Sequence, residues 1–231
     1  MELEKLDLAR TGSLAVERVV NGPIETNTYF AIADGECIVV DPAWEGEKLA
    51  RHFAAAHPDV RVTALVCTHA HADHVGGVAG MRRALGDSVP FVISAADAPN
   101  IALAIEGQRQ RWGIDTEVPP APDRLLAEGD VIEVGSVRLQ VIATPGHTPG
   151  GIVLFAATES GDIAFVGDTL FPGSHGRTDL EGGDERVMLD TLAKLACLLP
   201  EDTRCLIGHG PDTTMAAELS GNPFMAGVQL A

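Results

Sequence analysis

Thr68-His69-Ala70-His71-Ala72-Asp73-His74 is the stretch on which the reading of this chain turns. It follows an apolar run, Val62 to Cys67, that reads as a buried strand. In extended backbone His69 and His71 project to the same side, because side chains alternate along a strand. Imidazole suits Zn, Fe, Ni and Cu, and Asp73 adds a hard oxygen just past the pair. With His74 adjacent, four potential ligands leave one short loop in at least two directions, which points to two metals. A structural zinc would want a closed set of four ligands, often including cysteine, and this cluster contains none. The small Ala70 and Ala72, and Gly76-Gly77 just beyond, keep bulk low where solvent or a ligand would approach.

Three further candidates stand at the ends of later apolar runs. They are His147 in Ala143-Thr144-Pro145-Gly146-His147-Thr148-Pro149-Gly150-Gly151, Asp168 in Phe165-Val166-Gly167-Asp168-Thr169, and His209 in Leu206-Ile207-Gly208-His209-Gly210. Each follows a glycine, which lets the backbone turn a side chain inward, and strand ends are where layered sheets gather functional groups. Singly each reads equally well as an ordinary loop residue or a ligand; beside the first cluster they read as ligands.

In order and spacing, HxHxDH, the lone His of PGHTPGG, the Asp of GDTLF and the late His of GHG resemble the metallo-β-lactamase superfamily across nearly the whole chain. The resemblance implies His69, His71 and His147 on one metal, Asp73, His74 and His209 on a second, and Asp168 bridging them. Two divalent ions are expected, zinc first, with iron or manganese also suited to such ligands. The implied fold is α+β, a four-layer αβ/βα sandwich of two mixed β-sheets flanked by helices, formed by 1–231 as a single domain. Asp41, ending a strand before Pro42, resembles a position the family uses to support the histidine loop.

Gly167-Asp168-Thr169-Leu170-Phe171, Gly176-Arg177-Thr178-Asp179, His209-Gly210-Pro211 and Asn222-Pro223-Phe224 look like the glyoxalase II group and its relatives, including persulfide dioxygenases. The activity this implies is metal-dependent hydrolysis, as a thioesterase on a glutathione-type or other acyl thioester through a metal-bridging hydroxide that Asp73 orients. A mononuclear iron persulfide dioxygenase is the rival on the same scaffold, and a lactonase or phosphodiesterase is a further alternative. The complete ligand set disfavours a non-catalytic binding module. The commonest zinc β-lactamases carry Cys where Asp168 stands, which argues against antibiotic hydrolysis. The tail after Pro211 is too short for the helical domain with which glyoxalase II grips glutathione. Arg177 and Asp179 read as a pair bracing the loop below the metals, and Arg177, Arg109, Arg111 and Trp112 as candidate substrate contacts.

Around these motifs, Leu14 to Val20, Asn27 to Ala33 and Glu36 to Asp41 read as strands, with a turn at Asp34-Gly35. Glu47 to Ala56 and Gly77 to Leu85 read as helices, and Val89 to Ser94 as a strand. The stretch 95–128, poorly periodic and containing Pro119, Pro120 and Pro122, reads as an insertion or lid. Strands at Val131 to Val134, from Val137 through Val141, Ile152 to Ala156 and Ile163 to Val166 precede a helix, Glu185 to Leu198, and a strand, Arg204 to Ile207.

A formal charge of -17 disfavours nucleic acid, whose phosphates call for clustered Lys and Arg. No apolar run approaches the ~20 residues needed to span a bilayer, so no membrane partner is expected. A small-molecule substrate is the partner expected, and nothing in the sequence specifies an oligomer. MELEKLDLARTG carries no readable secretory signal, so the expected compartment is cytoplasmic. Cys37, Cys67, Cys197 and Cys205, with no CxxC, read as reduced, buried small hydrophobes.

Overall fold

The computed structural model describes residue 6 and residues 9–225; most of the N-terminal stretch just considered for a signal lies outside them. In the first half, strands β1 (Ala15–Asn21), β2 (Thr26–Ala33) and β3 (Glu36–Val40) form an antiparallel meander. Helix α1 (Gly46–Ala56) leads to β4 (Arg61–Val66), which lies parallel to β3. The single turn α2 (Ala72–Val75) and helix α3 (Val78–Leu85) come next, followed by β5 (Phe91–Ser94), helix α4 (Ile101–Trp112) and β6 (Arg124–Leu126). The six strands make one mixed sheet in the order β1-β2-β3-β4-β5-β6.

The second half repeats the plan with β7 (Val131–Val134), β8 (Val137–Ala143), β9 (Ile152–Thr158) and β10 (Gly161–Gly167). A small ribbon of β11 (Leu170–Phe171) and β12 (Ser174–His175) precedes helix α5 (Glu185–Leu198), β13 (Arg204–Ile207), β14 (Thr213–Thr214) and helix α6 (Met215–Gly221). The second sheet runs β14-β13-β10-β9-β8-β7, antiparallel except where β13 lies parallel to β10.

Alternation along the strands sorts their side chains into two layers of core. Tyr29, Ile38, Val40, Leu139, Leu154 and Phe165 fill the space between the sheets, with Tyr29 edge-on to Phe165 at 5.5 Å. Phe30, Val39, Leu65 and Phe91 face the other way, toward Phe53 of α1 and Met81 of α3. Phe155, Val166 and Ile207 do the same toward Met188, Leu192 and Leu195 of α5. The result is helices, sheet, sheet, helices, the αβ/βα sandwich expected.

The stretch 95–128, expected as an insertion or lid, holds α4 and β6, and β6 pairs with β5 as the edge of the first sheet. The buried stripe of α4 is Ile101, Ile105 and Gln108; with a polar third member and Gly107 beside it, the helix offers too little apolar periodicity to read. One expectation, on the cysteines, needs correction. Cys197 is exposed, whereas Cys37, Cys67 and Cys205 are buried and all four are free. Burial pushes the Cys37 and Cys205 thiols up to about 12, so both behave as packing groups. Among the described residues no helix is long and apolar enough to cross a membrane.

Candidate metal centre

Carboxylates and imidazoles converge at one end of the sandwich, just past the last residues of six strands. Asp41 follows β3, His69 to His74 follow β4, and Asp97 follows β5; His147, Asp168 and His209 follow β8, β10 and β13. Three sets of ligand atoms gather within 4.8 Å of one another: His69 with His71 and His147; Asp73 with His74 and His209; and His69 with His74 and Asp168. Asp168 faces both sides. One oxygen lies 3.5 Å from His74 Nε2, and the other lies 3.6 Å from both His147 Nε2 and His209 Nε2.

The ring orientations are set from behind. His74 Nδ1 lies 2.9 Å from an Asp41 oxygen, His147 Nδ1 lies 2.7 Å from the Arg177 carbonyl, and His209 Nδ1 lies 3.1 Å from the Ile24 carbonyl. Donation from Nδ1 leaves the Nε2 lone pair of each ring directed at the common centre, as a metal ligand requires. Asp41 also accepts the Thr68 backbone N–H at 2.7 Å and the Thr68 hydroxyl at 2.8 Å. Asn27 ties the first sheet to the His209 loop by donating to the Ile207 and Gly210 carbonyls. Gly208 is required by space: a Cβ there would fall 2.0 Å from an Asp168 oxygen and 2.8 Å from His74.

The donor set fits metal ions on two further grounds. His69 Nε2, His74 Nε2, His147 Nε2 and Asp168 Oδ1 are buried with no hydrogen-bond partner, a costly arrangement unless a cation satisfies them. Electrostatics agree. Burial together with the neighbouring rings holds His69 far below its usual pKa and lowers His71 to about 3, so both stay neutral ligands. At His74 burial works downward, but Asp73, Asp41 and Asp168 overcome it and favour positive charge at that spot. Burial pushes Asp73 up, yet His74, His209 and His69 outweigh it and keep the carboxylate ionised.

Two residues of the site escaped the sequence reading. The buried Asp97 accepts the Ala70 N–H at 2.9 Å, the Thr148 hydroxyl at 2.7 Å and the Gly150 N–H at 2.7 Å, joining the loops that carry His71 and His147. Its signal was a carboxylate just past a strand, the same as for Asp41 and Asp168. Thr26 donates its hydroxyl to Asp73 at 3.2 Å, and nothing in its local sequence marks it.

The centre opens into a cleft of about 670 Å³. Arg111, Trp112 and Arg177 line it; Arg109 does not, and instead faces Glu106 and Asp115 at 3.6 Å. Arg177 pairs with Asp179 through two bonds of 2.7 and 2.8 Å, which lower the Asp179 carboxyl to about 2. His175 packs on Phe224 and lies 3.3 Å from Glu185, outside the ligand groups.

The model of a family described as the metallo-beta-lactamase superfamily matches residues 21–209. The chain belongs to that superfamily. Within it, the chain is 33% identical to the "Probable metallo-hydrolase YqgX" of Bacillus subtilis, over 92% of this chain and 98% of that protein. It is 30% identical to the "Hydroxyacylglutathione hydrolase GloC" of Haemophilus influenzae, over 81% and 86% of the two chains. Among solved structures of the superfamily's fold, the "BLEG-1 B3 metallo-beta-lactamase" superposes with a TM-score of 0.81 at 32% identity, covering 92% of this chain and 100% of that one. "TTHA1623 in a di-iron-bound form" superposes with 0.80 at 36% identity, covering 90% and 99%.

Proposed function

We propose that this protein is a two-metal hydrolase of acyl thioesters, of the hydroxyacylglutathione type. The observation that carries the reading is the pair of ligand triads facing one another across Asp168, with buried, unpartnered ring nitrogens aimed between them. His69, His71 and His147 would hold one ion, Asp73, His74 and His209 the other, and Asp168 both. Ions so held lower the pKa of water from ~15.7 towards ~7 and withdraw charge from a substrate carbonyl.

The chain supplies the rest. Asp73, kept ionised by its imidazole neighbours and steadied by Thr26, would accept a hydrogen bond from the attacking water and orient it. Asp41 and Asp97 hold the loops in register. Thiols ionise near ~8.5, so the leaving group needs little help from a protein acid. The similarity to a hydroxyacylglutathione hydrolase supports the thioester reading. Zinc is the proposed metal, although the di-iron form of a similar structure makes iron a definite alternative. Likeness to a B3 β-lactamase structure removes the force of the argument from Asp168 against antibiotic hydrolysis, so a β-lactam belongs in the test.

The deciding experiment is elemental analysis of the purified protein, with turnover measured on the same sample. Thiol release from S-lactoylglutathione without oxygen uptake is expected. Oxygen uptake with glutathione persulfide, or faster turnover of a β-lactam than of any thioester, would replace the proposal.

A further inference from the structure

The cleft beside the metal residues has two unlike arms. Near His209 it is apolar, with Ile24 and Phe171, whose ring lies 6.5 Å from the imidazole. On the side of His71 it is walled by one stripe of α4, Leu103, Gly107 and Arg111, spaced four apart and so on one helix face. That stripe runs ~12 Å at the helical rise. A Cβ at Gly107 would meet nothing within 4 Å, so the middle of the wall is bare, and the stripe ends in a cation.

The two arginines of the cleft are not equivalent. Arg177 is paired with Asp179 side-on, through Nε and Nη2 along one edge of its guanidinium. Arg111 makes no ion pair among the described residues; its guanidinium carbon lies 5.7 Å from the centre of the exposed Trp112 ring. Both arginines line the same cleft as His71 and His147. Arg111 is therefore a cation without an ion pair among the described residues, lining the cleft that the metal residues share. A guanidinium pre-oriented by an aromatic face is suited to a planar carboxylate.

We propose that Arg111 sets the specificity of this site by binding a carboxylate on the thiol half of the thioester. This rests on the thioesterase reading. The acyl group then lies in the apolar arm, against Ile24 and Phe171. A polyphosphate carrier such as coenzyme A is disfavoured: Arg177 is neutralised, and Glu181 lines the same cleft and would repel added negative charge.

Two thioesters with the same acyl group test this, S-lactoylglutathione and the uncharged S-lactoyl-N-acetylcysteamine. In Arg111→Ala the ratio of their kcat/KM values falls about tenfold, the order expected for one charge-assisted hydrogen bond, and Arg111→Lys recovers part of it. An unchanged ratio overturns the proposal. Calorimetry with S-methylglutathione, which cannot be hydrolysed, separates this result from the activity. Binding to metal-loaded wild type that weakens about tenfold in Arg111→Ala upholds the carboxylate site even if neither thioester is turned over, an outcome that would sink the thioesterase instead. Equal affinity, or no binding to wild type, overturns the assignment of Arg111.

Discussion

The Asp41 carboxylate accepts three hydrogen bonds from a backbone held at φ 51, a left-handed conformation uncommon outside glycine. It was legible because it ends an apolar run before a proline and matches a family position. Asp41→Asn keeps the shape but presents an amide to donors already there, so His74 loses its anchor. Metal affinity should drop about 10- to 100-fold, measured by competition with a chromophoric chelator; an unaltered affinity would reduce Asp41 to packing. Asp97 carried the same signal, a carboxylate just past a strand, but was missed because Ala95-Ala96-Asp97 opens a stretch with no readable period and its partners lie 27 to 53 residues away. Asp97→Ala leaves the Ala70 and Gly150 N–H groups buried without acceptors. A loss of about 2–4 kcal/mol is expected from urea denaturation of the metal-free protein. A change below about 0.5 kcal/mol, the usual size for a surface substitution, would mean the two loops are held by other contacts.

At the scale of elements, the strands were readable because β-branched and aromatic runs also have to alternate between two packed faces, a constraint that leaves its period in the sequence. The helix α4 was hidden because its solvent and cleft faces carry no apolar demand, so burial shows at only three positions. The seat of α1 on α3 was hidden for another reason, since close backbone approach leaves only glycines as its trace. A Cβ on Gly46 would lie 1.8 Å from the Gly77 carbonyl oxygen. Gly77 cannot retreat freely, because its N–H is bonded to the Pro42 carbonyl at 2.6 Å and it follows the ligand loop by three residues. Gly46→Ala should therefore cost about 1–3 kcal/mol through overpacking. A melting temperature equal to wild type would show that the helices slide apart at little cost.

Over the whole molecule, the proposed ions would act as a clasp between halves. The loop after β4 belongs to the first sheet, while His147, Asp168 and His209 belong to the second. That division was foreshadowed in the sequence by two successive runs of strands and helix, although only folding shows that both halves deliver their ligands to the same end. An ion bound by the folded chain alone stabilises it by about 4 kcal/mol at a free concentration of 1,000 times Kd. For a chain of this size that corresponds to a rise in melting temperature of about 10 °C. Chelation, which removes both ions, should lower the melting temperature by about twice that amount, and Asp168→Ala should respond to the chelator by less than half as much, because the residue facing both triads is gone. Yet the metal-free protein should still unfold cooperatively, since Tyr29, Phe165, Leu139 and Leu154 bury an inter-sheet core that needs no ion. Calorimetric melting of loaded and chelated protein checks both halves of this argument. Coincident curves would mean that the triads take up no ions, and a broad, non-cooperative melt after chelation would mean that the clasp, rather than the core, holds the sheets together.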